Sequence, residues 1–284
     1  MNVYEIITNR ITEQLEKGVI PWKKTWTGGI EGMPQNFITK KAYRGINPFL
    51  LMSMGYSSPY WMTFNQAKAK SATVKKGEKG TPVIFWNWTE KTNEAGKVES
   101  IPFLKYYTVF NADQVEGLNL PVVEGEVKPV FNPIMECEKI VEGMPLKPVV
   151  AYGGDRACYA PSTDKVCMPE KIAFISEPEY YGTLFHELIH STKHESRLNR
   201  KDDNGKTSHF GNETYSKEEL VAEFGAAFLC GVSGIETTVI ENQAAYIQGW
   251  LKRLKDDSKV LVTAAAQAQK AADYILNKKA IEEV

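Results

Sequence analysis

The run His186-Glu187-Leu188-Ile189-His190 restricts what this chain can fold into more than any other stretch. On a helix, residues four apart share a face and lie about 6 Å apart along the axis. Two imidazoles so placed reach one zinc ion at roughly 2.0–2.1 Å each and leave Glu187 beside the open coordination position. A shared ion tolerates little motion, so the helix must be held firmly. The flanking sequence supplies the means. Leu184, Phe185, Leu188 and Ile189 give apolar surface to bury, while Ser176 with Glu179 reads as a capping box with Pro178 in the first turn.

A water-activating zinc site needs a third protein ligand. His194 would lie about 12 Å along a continuous helix from His186, out of reach of the same ion. Lys193 and Ser196 stand where a metzincin pattern wants Gly and His. The following helical pattern, 216–232, offers Glu219 and Glu223 on one face, so that one binds metal and the other accepts the second ring proton of a liganding histidine. It resembles the Glu-x-x-Ala-Asp helix of zincin peptidases, with Glu219 as ligand, Ala222 matching and Glu223 in place of Asp. Two alternatives stay open: Ser216 with Glu219 also forms a capping box, and Glu218 or Glu223 can take the ligand place. With three ligands set, zinc activates water and polarises a carbonyl, and Glu187 serves as the general base. Tyr215 and His209 are candidate oxyanion donors, and the strand at Ala157 to Ala160 is a candidate edge for an extended peptide.

Upstream, the character changes. Residues 1–117 hold 15 Lys+Arg against 10 Asp+Glu, a net of +5, whereas the remainder has a net of −6. Five of the six tryptophans lie in the basic half. Cations beside aromatics suit an anionic polymer with stackable bases. Candidate contacts are Trp22, Lys23, Lys24 and Trp26 in one turn-rich segment, Tyr43 and Arg44 in another, and the basic turn Lys75, Lys76, Lys79. Trp86 and Trp88 alternate along a predicted strand, and a shared core face explains them equally well.

The pattern of elements is α+β. An amphipathic helix spans 3–17, with Ile7, Ile11 and Leu15 on its apolar face and Gly18 as its stop. A short helix opens at the Thr63/Gln66 capping box and runs to about Ala72. Strands at 81–88 and 103–110 form a hairpin. Residues 1–117 are expected to be a nucleic-acid-binding domain, 118–133 a linker and 134–284 a second domain of short strands, the metal helix and three further helices. No apolar run approaches the ~18 residues of a membrane span, so no membrane partner and a cytoplasmic location are expected. Cys137, Cys158, Cys167 and Cys230 are scattered and form neither a metal-binding pair pattern nor a disulfide framework; Cys158 and Cys167 could approach across a hairpin, but buried free thiols are the expectation.

Taken in order, the segments Trp22 to Trp26, Tyr43 to Pro48, Trp61 to Gln66, Lys76 to Gly80, Val109 to Gln114, the metal helix through Arg197 to Arg200, and Glu218 to Glu223 resemble the ArdC antirestriction family. Lys193-His194 departs from the Gly-His frequent in that family. The resemblance implies an N-terminal domain that binds single-stranded DNA and a C-terminal zincin-like metallopeptidase domain. It further implies residence on plasmids, phages and other mobile elements, a protein or peptide substrate, and protection of incoming DNA from host restriction. The alternative is occlusion of DNA by a binding protein whose metal site is structural or inactive.

Overall fold

The computed structural model describes residues 2–22, 32–92, 98–119, 133–200, 217–236 and 243–278. The first helix, α1 (Val3–Glu16), is capped by Asn2, whose side chain accepts from the Glu5 backbone while Glu5 reaches back to the Asn2 N–H. Its apolar face buries Ile7, Ile11 and Leu15, and Gly18 ends it with a φ of +80°, a conformation glycine adopts without strain. A four-stranded sheet follows, in the order β1 (Gln35–Asn36), β2 (Tyr60–Thr63), β5 (Val98–Asn111), β4 (Thr81–Thr92). β4 and β5 form an antiparallel hairpin that extends beyond the predicted strands, with Trp86 opposite Leu104 and Phe85 opposite Lys105. The Thr63/Gln66 capping box is present, but α3 (Phe64–Ala69) stops before Ala72. α2 (Asn47–Met52) is tied to β4 by Asn47, which exchanges two 2.8 Å hydrogen bonds with the Ile84 backbone. β3 (Thr73–Val74) and β6 (Val115–Glu116) pair beside this sheet.

The second half begins with α4 (Pro133–Gly143) and a three-stranded sheet ordered β7 (Val149–Tyr152), β9 (Lys165–Met168), β8 (Cys158–Ala160). β9 is central, parallel to β7 and antiparallel to β8, so β8 is an edge strand. The metal helix α5 (Glu177–Ser191) packs on β8 and β9. Ser176 accepts from the Glu179 N–H at 3.3 Å, but Glu179 returns to Ile175 rather than to Ser176, so the box is closed one residue early. At the other end, Arg197 donates to the Ser191 carbonyl at 2.8 Å and pairs with Asp164 of the β8–β9 turn. The N-terminal end of α5 is therefore capped locally, and its C-terminal end is fixed to the sheet.

α6 (Lys217–Ser233) is apolar almost all round, with Leu220, Val221, Phe224, Phe228 and Leu229 fully buried. A helix of that kind must be covered on every side. α5 covers one side and α8 (Val260–Ile275) another, through the small side chains Ala264, Ala265, Ala268 and Ala272. The N-terminal region covers more: Phe49 of α2 stacks on Phe224 at 4.9 Å, and α1 lies against α7 (Gln243–Asp256) and α8. Ile7, Ile11, Leu15, Trp22 and Phe49 thus share one hydrophobic cluster with α5, α6 and α8, so the core is not divided at the expected linker. Of that linker, residues 120–132 lie outside the described residues.

Candidate metal centre and nucleic-acid interface

His186 and His190 rise from one face of α5 with their Nε2 atoms 3.1 Å apart. Glu219, in the first turn of α6, places Oε2 3.4 Å from His186 Nε2 and Oε1 3.6 Å from His190 Nε2. Ligands held tetrahedrally at 2.0–2.1 Å from one ion stand about 3.4 Å from each other, and these three side chains, each offering one atom within 4.8 Å of the others, have the spacing to hold a divalent metal. Among the described residues it is the one group of His, Cys, Asp and Glu with metal-binding spacing. The site is closed behind and open in front: His190 is 2% exposed at its side chain, whereas His186 and Glu219 keep 26% and 31%. Glu187, buried, sits between the two histidines in sequence, and its charge acts on Cys158 of the edge strand β8.

α6 can approach this closely because of Gly225. A Cβ there would meet three side-chain atoms of buried Ile189 at 2.5–3.0 Å, so any larger residue would hold the two helices apart. Glu219 lies less than two turns away on the same helix.

Electrostatics follow the packing. Burial alone would lower the His190 pKa, but hydrogen bonds and charge from Glu218 and Glu219 raise it to about 9. Burial would raise the Glu219 carboxyl, but the two imidazoles hold it well below the usual carboxylate range.

The carboxylate behind His190 is not the expected one. Glu218 lies with Oε1 3.3 Å from His190 Nδ1 and accepts both terminal N–H groups of Arg200, at 2.8 and 2.9 Å. Arg200 in turn donates to Thr192 Oγ1 and to the Ile189 carbonyl, which locks the array to the end of α5. Adjacent positions on a helix are rotated by about 100°, so Glu219 and Glu218 reach the two different nitrogens of one ring. The doubled glutamate was the available signal. Glu223 instead accepts a 2.7 Å hydrogen bond from the Trp22 indole. His194 is in the turn after α5, where its Nδ1 contacts Ser196. Ser216, Tyr215 and His209 lie outside the described residues.

The predicted nucleic-acid contacts divide. Lys23, Lys24 and Trp26 lie outside the described residues. Trp22 is a correction: it is 1% exposed, packed edge-on against Phe224 and Trp250, because α6 needs covering and Glu223 needs a donor. Tyr43 is likewise buried, in a cluster with Leu51, Trp61, Val83 and Val109. Arg44 forms an ion pair with Asp273 of α8. Lys75, Lys76 and Lys79 are exposed, and Lys75 donates to the Asp113 carbonyl.

Among the described residues, exposed aromatic side chains cluster on the β4–β5 hairpin. Trp86 and Trp88 stand 39% and 58% exposed, with Tyr106 on the same side, while Phe85, Phe103 and Tyr107 are exposed on the other. Lys105 lies over Tyr107 at 5.8 Å. The sequence pattern singled out the two tryptophans and overlooked the returning strand, whose Phe and Tyr residues read as ordinary β-formers.

Comparison with known proteins places both halves. Residues 1–110 match the N-terminal domain of the anti-restriction factor ArdC, and residues 136–267 match a zincin-like metallopeptidase domain. Over 96% of its length the chain is 37% identical to a DNA primase TraC of Escherichia coli, and over 99% it is 36% identical to a second; it spans only 20% and 28% of those two proteins. An uncharacterised protein of Sinorhizobium fredii, y4eC, is 33% identical, with 96% of this chain and 91% of that one aligned. Crystal structures of the antirestriction ArdC protein from the R388 plasmid, metal-free and Mn(II)-bound, superpose with a TM-score of 0.76 at 35% identity; the metal-free one covers 99% of this chain and all of that one. With relatives of that similarity aligned across nearly its whole length, this chain belongs to the ArdC antirestriction family, with an ArdC-type N-terminal domain and a zincin-like C-terminal domain.

Proposed function

We propose that this protein shields incoming DNA of a mobile element from host restriction by binding single strands through its N-terminal region and hydrolysing peptide bonds at a zinc site. The observation that carries the catalytic reading is the convergence of His186, His190 and Glu219, with Glu187 next to the first histidine. When bound, zinc would supply Lewis acidity to a substrate carbonyl and an acidified water. His186, His190 and Glu219 would hold the ion, Glu218 and Arg200 fix the His190 ring, and Glu187 would serve as the general base that accepts a proton from water and returns it to the leaving amine. An extended peptide adds to the free edge of β8, where backbone pairing orients the scissile bond without demanding a particular sequence. The boundaries 1–117 and 134–284 describe which residues serve each task, although the two regions share a core.

For DNA, bases stack on Trp86, Trp88 and Tyr106 while Lys75, Lys76 and Lys79 follow the phosphates. Among the described residues no helix is long and apolar enough to cross a membrane, and a cytoplasmic site of action suits a protein that meets incoming DNA.

The experiment separates metal holding from chemistry. Glu187→Gln retains zinc and loses peptide hydrolysis by about 10²–10⁴-fold, while His190→Ala loses the metal. Hydrolysis of a peptide library by Glu187→Gln at the wild-type rate would remove the catalytic role. Full DNA protection by that inactive variant would leave occlusion as the protective mechanism.

A further inference from the structure

We propose that Cys158 and Cys167 are a redox modification site: a thiol pair that a low-molecular-weight disulfide converts to a cross-strand disulfide between β8 and β9. The two residues are direct partners in the antiparallel ladder. Cα atoms of such partners lie about 4.5 Å apart in a non-hydrogen-bonded pair and 5.5 Å in a hydrogen-bonded one. Both distances fall inside the 4.4–6.8 Å span that a disulfide bridges. The neighbouring register pair, Tyr159 and Val166, is buried in the core, so the two cysteines stand together on the other side of the ladder. The Cys167 thiol is near enough to push the Cys158 pKa up. Cys158 is exposed and Cys167 half-buried, whereas Cys137 and Cys230 are buried and removed from any dissolved reagent.

The exposure difference orders the chemistry. The Cys158 thiolate attacks one sulfur of the reagent R–S–S–R and releases RS⁻, which leaves a mixed disulfide on Cys158. The Cys167 thiolate then attacks the Cys158 sulfur and expels the second RS⁻. Both cysteines are oxidised, the reagent disulfide is reduced, and the two protons leave with two molecules of RSH. Burial, the Cys167 thiol and the Glu187 carboxylate together hold the Cys158 thiol above its ordinary range, so the first attack is slow at neutral pH and quickens as the pH rises.

The location gives the modification its meaning. Among the described residues β8 is an edge strand of its sheet, packed beside α5, and the charge of Glu187 reaches Cys158. Oxidation would tie that strand covalently to β9 next to the metal site. The proposal does not depend on whether the site hydrolyses peptides.

The sequence makes the test direct. Trypsin cuts after Arg156, Lys165 and Lys171, so Cys158 and Cys167 fall in separate peptides, 157–165 and 166–171. The reduced, metal-loaded protein is incubated with glutathione disulfide, its free thiols are alkylated, and it is digested without reductant. The expected product is the two peptides joined, with Cys137 and Cys230 alkylated; Cys167→Ser should stop at a glutathione adduct on Cys158. A stable adduct on wild-type Cys158 with Cys167 alkylated would overturn the pairing, as would survival of both thiols at about pH 10, where nearly all of an ordinary thiol population is thiolate and a raised thiol is ionised in part. Dithiothreitol should restore the separate peptides.

Discussion

Replacing Glu218 by Gln tests the account of the metal site most sharply, because the substitution keeps the shape behind His190 while removing the charge and one acceptor oxygen. Glu218 accepts two hydrogen bonds from Arg200 at 2.8 and 2.9 Å and sits 3.3 Å from His190 Nδ1. Glutamine keeps one acceptor oxygen, which can stand where Oε1 meets both Arg200 and the imidazole, but its NH₂ then replaces Oε2 and faces an Arg200 N–H it cannot accept from. Carboxylates that orient a liganding histidine typically contribute 10–100-fold to metal affinity, or about 1.4–2.8 kcal/mol. The assay is competition between metal-free protein and a chromophoric chelator for Zn²⁺, with circular dichroism confirming the fold. The pH profile adds a second reading. With the His190 pKa at about 9 in the metal-free protein, metal must displace a proton below that pH. Apparent affinity should therefore climb by up to about tenfold per pH unit and flatten near pH 9. In Glu218→Gln one of the two carboxylates that raise His190 is gone, so the plateau should begin at lower pH. Equal zinc affinity and an unchanged profile in the variant would refute the orienting role of Glu218.

Three further outcomes follow from the same contacts. The raised His190 pKa stabilises the metal-free fold fully below the unfolded value of 6.5 and is lost as pH rises through about 9; chemical denaturation should show metal-free stability falling across that window by at most about 3 kcal/mol, with no such fall in the zinc-loaded protein. Gly225→Ala drives a methyl into Ile189 and should cost about 1–3 kcal/mol in thermal unfolding while weakening zinc binding, since α6 carries Glu219; normal stability and normal zinc affinity together would contradict the close-approach argument. Trp22→Phe removes the indole donor to Glu223 and should cost about 1–3 kcal/mol of stability with single-strand affinity unchanged, whereas Trp88→Ala should weaken binding to an unstructured oligonucleotide by about 1–3 kcal/mol and leave stability nearly intact.

The spacing of His186, Glu187 and His190 was legible in the sequence because it belongs to a single helix, where 3.6 residues per turn decides which side chains are neighbours. The same local physics made α1, the Thr63/Gln66 cap and the strands of the β4–β5 hairpin readable, with errors confined to their ends. Tertiary structure alone decided what depends on the angle and depth of packing. Which carboxylate meets which nitrogen of His190 follows from how closely α6 lies against α5, a distance set by Gly225 and Ile189. Which tryptophans face water follows from partners far away in the chain. Trp22 and Trp88 both belong to the basic, aromatic half, yet Trp22 found Glu223, 201 positions later, and went inside, while Trp88 extends on a hairpin beyond the core. Composition cannot separate the two, because burial is a property of the surroundings a residue acquires and not of the residue itself.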